Sequence, residues 1–126
     1  MREHGRFDMQ VEEQVIVLKV YGAWNFETTS RWCHEYKDHI DAIKDKPWAR
    51  LMDLTLWELT TPDVWELVDQ VNQWANANNQ QYDVVICPLS IQKQLLARAH
   101  QVLTNVEIVF CDNLIEARNW LKDNGL

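Results

Sequence analysis

Asp53 closes an apolar run that begins at Ala49, and a carboxylate at a strand end can serve as a general base or accept a phosphoryl group. The loop behind it is rich in Trp, Glu and Thr and carries two hydroxyls, Thr60 and Thr61, that a kinase could modify. A third reactive group is the Cys87 thiol in Cys87-Pro-Leu-Ser90, just ahead of a helix N-terminus, where the dipole lowers a thiol pKa and favours a nucleophile. None of these has the company that catalysis requires. A phosphoryl-accepting aspartate needs an acidic pair and a lysine at neighbouring strand ends, and Gly22-Ala-Trp-Asn25 and Cys111-Asp-Asn113 stand there instead. No histidine is tied to Cys87 by the sequence. His34 and His39 do not share a helical face, and with Cys33 and Glu35 they form no metal set. His4 and His100 are expected in solvent. Asp53 reads better as a turn or cap residue and Cys87 as a small buried hydrophobe. The expectation is a non-enzyme without cofactor or metal, with an enzyme using Asp53 or Cys87 as a rival.

Binding chemistry is better supplied. Of the seven tryptophans, Trp32, Trp48, Trp74 and Trp120 fall at or near core stripes. Trp24 follows Gly22 at a strand end, Trp57 lies in the loop after the third strand, and Trp65 falls off the Val64/Leu67/Val68/Val71 stripe. So much apolar area is unfavourable in water, and ligands of α/β domains sit outside the carboxyl ends of the strands. The working surface is therefore expected at one rim: Trp24, Asn25, Phe26, Leu56, Trp57, Glu58, Leu59, Thr60, Thr61 and Trp65. It would close over a small apolar or lipid-like ligand, or dock on a protein partner or a membrane interface. A second copy of the chain is also allowed. The carboxylates of the helices read as solvated faces, and the helix from Ser90 as the more basic one.

Composition narrows the classes. The chain has 126 residues, 47% hydrophobic and 25% charged, as expected for one globular domain spanning 1–126. Its net charge of −7, without a Lys/Arg cluster, argues against nucleic acid and against electrostatic docking on anionic lipid. The three cysteines lack metal spacing and read as reduced thiols of a cytoplasmic protein. With three glycines and neither a GxGxxG nor a GxxxxGK[ST] pattern, phosphate-cradling loops are not expected. No run approaches a membrane span, no signal peptide is seen, and Arg2 stands where myristoylation needs glycine.

The elements that must position the rim follow from periodicity. Strands are expected at Arg6 to Gln10, Val15 to Tyr21, Trp48 to Leu54, Asp83 to Cys87 and Val106 to Phe110. Helices are expected from Asn25 to about Lys44, from Pro62 with Thr61 as N-cap, from Ser90 as N-cap to about Val102, and after Asn113 or Asp112. Their inward stripes would be Thr29, Cys33, Tyr36, Ile40 and Ile43, then Val64, Leu67, Val68, Val71, Trp74 and Ala75. The third helix would turn in Ile91, Leu95, Ala99 and Val102, and the last Leu114, Ala117 and Leu121. The order ββαβαβαβα implies a mainly parallel five-stranded α/β sheet with an antiparallel first strand.

This order resembles the SpoIIAA-like fold, the group of the STAS domains and the related CRAL-TRIO-type lipid-binding domains. The likeness is carried by the Val15–Tyr21 strand into Gly22, the strand end Leu51-Met-Asp-Leu-Thr55, and the tail from Val106 through Glu116-Ala-Arg-Asn-Trp-Leu121. In the anti-sigma antagonists of the group, an Asp-Ser-Ser-Gly loop carries the phosphorylated switch serine. Laid on this chain, that Asp matches Thr61 and the switch Ser matches Pro62, which cannot be phosphorylated. The resemblance thus implies a binding or regulatory role: protein partners as for STAS domains, or hydrophobic small molecules and membranes as for CRAL-TRIO domains. A phosphorylation-controlled partner, with phosphate on Thr60 or Thr61, is the alternative.

Overall fold

The computed structural model describes residues 2–58 and 60–126; Leu59, expected at the rim, lies outside them. Strands β1 (Arg6–Glu12) and β2 (Val15–Gly22) lead to helix α1 (Phe26–Ile43) and strand β3 (Trp48–Trp57). A short 3-10 turn, Pro62–Val64, opens into α2 (Trp65–Asn76); β4 (Gln80–Ile86), α3 (Ser90–His100), β5 (Glu107–Cys111) and α4 (Leu114–Asp123) complete the order. β1 pairs antiparallel with β2 and the remaining pairs are parallel, so the sheet runs β1-β2-β3-β4-β5 in chain order. The fold class is the one expected from the sequence.

The two faces of the sheet are covered unequally. α1, α2 and α3 pack on one face, where Ile16, Leu18, Val20, Met52 and Val85 meet Trp32, Tyr36, Ile40, Val71 and Leu96. On the other face α4 alone lays Ala117 and Leu121 over Leu51, Val84, Ile86 and Cys111. The periodic stripe of α1 is the reason it lies as it does: Thr29, Trp32, Tyr36, Ile40 and Ile43 recur at helical spacing and are all buried. Asn25 starts that helix as its N-cap, accepting from the Thr28 N–H, and Asn113 starts α4 in the same way through the Glu116 N–H.

Three expectations are corrected. β3 continues to Trp57, so Leu56 and Trp57 belong to the strand rather than to a loop. Its pairing with β2 passes from Lys19↔Asp53 to Tyr21↔Leu56, two residues on β2 against three on β3. That extra residue is a β-bulge, and it inverts the in/out alternation of everything beyond it. Trp57 turns inward and Leu56 outward. In α3 the inward stripe is Gln92, Leu96 and Ala99, followed by Leu103; Ile91 is exposed, Leu95 half-buried and Val102 half-buried. Leu89, not Ser90, holds the N-cap position, and the helix is turned by one residue so that the Gln92 amide donates to the Trp57 carbonyl at 2.8 Å. Finally, Leu114, expected to point inward, is exposed, whereas Thr61 does hold the expected N-cap position, before the 3-10 turn and without a side-chain cap bond.

Candidate functional site

The residues of the expected rim divide into those that line a pocket and those that stay outside it. Trp24, Trp57, Thr60 and Trp65 share one apolar pocket with Leu18, Val20, Leu54, Val64, Val68 and Leu96. Trp57 meets Trp65 edge to face with ring centres 6.4 Å apart, and Trp24 leans on Trp32 at 5.7 Å. The three tryptophans thus belong to one place, but not as an open aromatic surface. Trp24 and Trp57 are each 6% exposed, and Trp65 is half-buried beside them. The bulge in β3 is the cause for Trp57. For Trp24 the cause is its indole N–H, which donates to the Arg6 carbonyl at 3.1 Å and draws the ring under β1. Gly5 makes room there: with φ +73, a Cβ at this position would stand 2.7 Å from Trp24 Cδ1.

The remaining rim residues play other parts. Asn25 is occupied on both sides, capping α1, accepting from the His4 N–H and donating to the Arg2 carbonyl. Phe26 and Leu56 stand in solvent, as do Glu58 and Thr61. Glu58 closes the strand end through its backbone N–H to the Gly22 carbonyl.

The pocket measures about 70 Å³. A dry cavity of about 150 Å³ is what benzene occupies, so in this state the space suits one aliphatic side chain and not an acyl chain. Its floor is polar: Arg50, Asn72 and His100 reach it from β3, α2 and α3.

That floor is the feature sequence reasoning missed. Arg50 and Asp83 stand across from each other on β3 and β4 and are 2% and 0% exposed. The guanidinium grips the carboxylate in two bonds, Nε to Oδ1 at 3.0 Å and Nη2 to Oδ2 at 2.7 Å, and Nη1 donates to Asn72 Oδ1 at 3.1 Å. His100 Nε2 lies 3.0 Å from Asp83 Oδ2, without the alignment of a hydrogen bond. The guanidinium also sits 5.5 Å from the centre of the Tyr36 ring. His100 is therefore not a solvent-facing residue as expected; the one-residue rotation of α3 brings it to the sheet. Two strands and three helices meet at this cluster. Burial alone would push the Asp83 carboxyl up, but the Arg50 charge and hydrogen bonds, with His100, hold it well below the usual carboxylate range. Burial pushes the Tyr36 hydroxyl up.

A depressed acid contributes stability at pH values above its unfolded pKa, near 3.8, and loses it as pH falls from there through the folded value. Unfolding free energy is therefore expected to drop steeply below the range of ordinary carboxylates. Urea titrations across acid pH check this. A variant with both charges removed, Arg50→Met/Asp83→Leu, should show a shallower acid limb; an unchanged limb would assign the loss to other groups.

Nothing at the candidate nucleophiles favours reaction. Burial pushes the Cys87 thiol up, the reverse of what a nucleophile needs, and its sulfur points to Gln92 Oε1 at 3.4 Å. Cys33 is pushed up to about 11 by burial. Asp53 lies within β3 and not in a turn or cap as expected, and at the bulge it accepts from the Thr55 N–H at 3.0 Å and the Thr55 hydroxyl at 2.6 Å. Among the described residues no group of His, Cys, Asp or Glu could hold a metal ion, and no helix is long and apolar enough to cross a membrane.

No protein-family model matches the chain, and no curated protein matches it. Solved structures do. An uncharacterized protein of the DUF3478 family with a SpoIIAA-like fold, from Shewanella loihica PV-4, is 15% identical over 96% of each chain, with a TM-score of 0.72. The anti-sigma factor antagonist SpoIIAA in its unphosphorylated form is 10% identical over 95% of this chain and 99% of that one, with a TM-score of 0.68. An anti-sigma factor antagonist from Mycobacterium paratuberculosis is 13% identical over 95% and 96%, with a TM-score of 0.62. At these identities the likeness is one of fold, and it is nearly complete: this chain has the SpoIIAA-like fold.

Proposed function

We propose that this chain is a non-enzymatic regulatory module that docks on a protein partner at the carboxyl edge of its sheet. One observation carries the reading. Every exposed large hydrophobic residue among those described stands at that edge: Phe26 after β2, Leu56 near the end of β3, Leu89 and Ile91 after β4, and Phe110, Leu114 and Ile115 around the end of β5. Apolar side chains scattered singly need no explanation, but their collection at one edge does. The tryptophan-lined pocket opens beneath the same edge and has room for one aliphatic side chain, the geometry of a central anchor at a protein interface. Two of the similar structures are antagonists of anti-sigma factors, which supports a protein partner. Pro62 stands at the place of their switch serine in the alignment of motifs, so control by phosphate would fall to Thr60 or Thr61, of which Thr60 borders the pocket.

A photo-crosslinking residue installed at Thr60 or Ile91 in the host cell is expected to capture a discrete protein, while the same residue at Glu107, on the opposite edge, captures none. Equal capture at both edges, or none at the pocket edge, would overturn the docking reading. A small apolar ligand is the second reading, favoured by the apolar walls and polar floor of the pocket. It predicts a tryptophan emission shift with a molecule of aliphatic side-chain size such as isobutanol, whereas the docking reading predicts no change.

A further inference from the structure

From Leu51 to Gln92 the chain has no lysine or arginine, yet it has six acidic residues. One of the six, Asp83, is neutralised by Arg50 in the interior. Three others, Glu58, Asp63 and Glu66, are exposed and follow one another from the end of β3 through the 3-10 turn into the first turn of α2. Each is the chain neighbour of a residue that lines the pocket: Trp57, Val64 and Trp65. Among the described residues none of the three makes an ion pair, whereas Glu3, Glu12, Glu35 and Asp41 each have a cationic partner. The nearby cations are engaged elsewhere: Arg6 lies over the Tyr21 ring and beside Asp8, and Lys93 lies over Phe110. The apolar edge is thus bordered on its β3–α2 side by negative charge that the chain leaves uncompensated.

Resting on the docking reading, we infer that the occupant of this edge is a cationic segment of another protein: lysines or arginines flanking an aliphatic side chain that enters the tryptophan-walled pocket. The charge narrows the class of partner in two ways. The net charge of −7 opposes a second copy of this chain, and it repels anionic lipid and nucleic acid. A basic partner gains in encounter rate from the same field. The pocket supplies the desolvated anchor that charge alone does not provide. Acidic groups at a rim act mainly on specificity and association, so the contact should weaken as salt screens it.

The test uses the intact chain and three helical peptides of one amphipathic pattern, Leu/Lys, Leu/Gln and Leu/Glu, with affinity read by calorimetry at low and high salt. The Leu/Lys peptide is expected to bind best and to weaken with salt. In Glu58→Lys/Asp63→Lys/Glu66→Lys its affinity should fall by about tenfold or more. The control Asp45→Lys/Glu107→Lys/Asp123→Lys carries the same net charge change on exposed residues of the opposite edge and should bind nearly as wild type. Thr60→Trp, which narrows the pocket mouth, should also weaken binding. Equal losses in the two charge-reversed triples would show attraction to net charge and overturn the inference. So would a Leu/Gln or Leu/Glu peptide that binds as well as Leu/Lys, or the absence of binding by any peptide. Positive crosslinking at Thr60 and Ile91 alongside any of these failures would leave the docking reading standing and remove only the cationic partner; loss of both would remove the two together.

Discussion

Asp83→Ala is expected to destabilise the protein by about 3–5 kcal/mol, because it leaves the Arg50 guanidinium buried without its counter-charge. The loss would not measure what the ion pair contributes. Removing both partners for apolar residues of similar size, in Arg50→Met/Asp83→Leu, should recover much of it, since the desolvation of two charges is removed along with their attraction. The recovery will be incomplete. Asn72 and His100, which face the pair, lose a partner in the double variant and remain near the sheet. Urea unfolding of the wild type, both single variants and the double variant closes the cycle, and a coupling of several kcal/mol is expected. A single-variant loss below about 1 kcal/mol would mean that water reaches Arg50 and that the cluster is not sealed. The position of the pair makes its effect global: α1, α2 and α3 each bring a residue to it, so an uncompensated charge there strains all three helix contacts together.

Trp24→Ala is expected to cost about 3–5 kcal/mol as well, by a different route. The indole fills the space between Phe7, Trp32 and the turn at Gly5, and its N–H is the donor to the Arg6 carbonyl. Truncation opens a void that joins the existing pocket, and the backbone acceptor on β1 loses its partner. Trp65→Ala should cost clearly less, because that ring is half-buried and its removal mainly widens the pocket mouth. The enlarged apolar space gives a second readout. Benzene or indole at millimolar concentration should raise the melting temperature of Trp24→Ala and leave the wild type unchanged, since a ligand stabilises only a state with room for it. Equal losses for Trp24→Ala and Trp65→Ala, with no rescue by benzene, would show that the pocket collapses and that Trp24 is not its wall.

The parts of the molecule readable in the sequence are those written in local periodicity. The order of elements, the antiparallel first strand, the start of α1 at Asn25 and most of its buried stripe follow from residues a few positions apart, although Trp32 takes the buried place expected for Cys33. Three features depend on longer-range relations. The bulge opposite Lys19 and Tyr21 arises from how β2 and β3 register, and no residue in Leu54-Thr-Leu56 announces it, so the inward side of Trp57 could not be read. The rotation of α3 buries Leu96, Ala99 and Leu103 and brings the Gln92 amide to the Trp57 carbonyl, a tertiary fit that replaces the stripe suggested by Ile91 and Leu95. The Arg50–Asp83 pair did leave a trace: each charge interrupts an otherwise apolar strand, Ala49-Arg-Leu51 and Tyr82-Asp-Val84, and opposite signs at equal depth in consecutive strands are what a buried pair requires.

The agreement between strand order in the sheet and strand order in the chain bears on how the molecule is assembled. As synthesis proceeds from the N-terminus, each new strand meets a neighbour that has already left the ribosome, and no strand waits for a partner still to be made. Loop closure then involves one helical crossover at a time, which keeps the entropic barrier small for a sheet that is mostly parallel. The exception is the face beneath α4. Leu51, Val84 and Ile86 stay open to water until α4, made after all five strands, arrives to cover them.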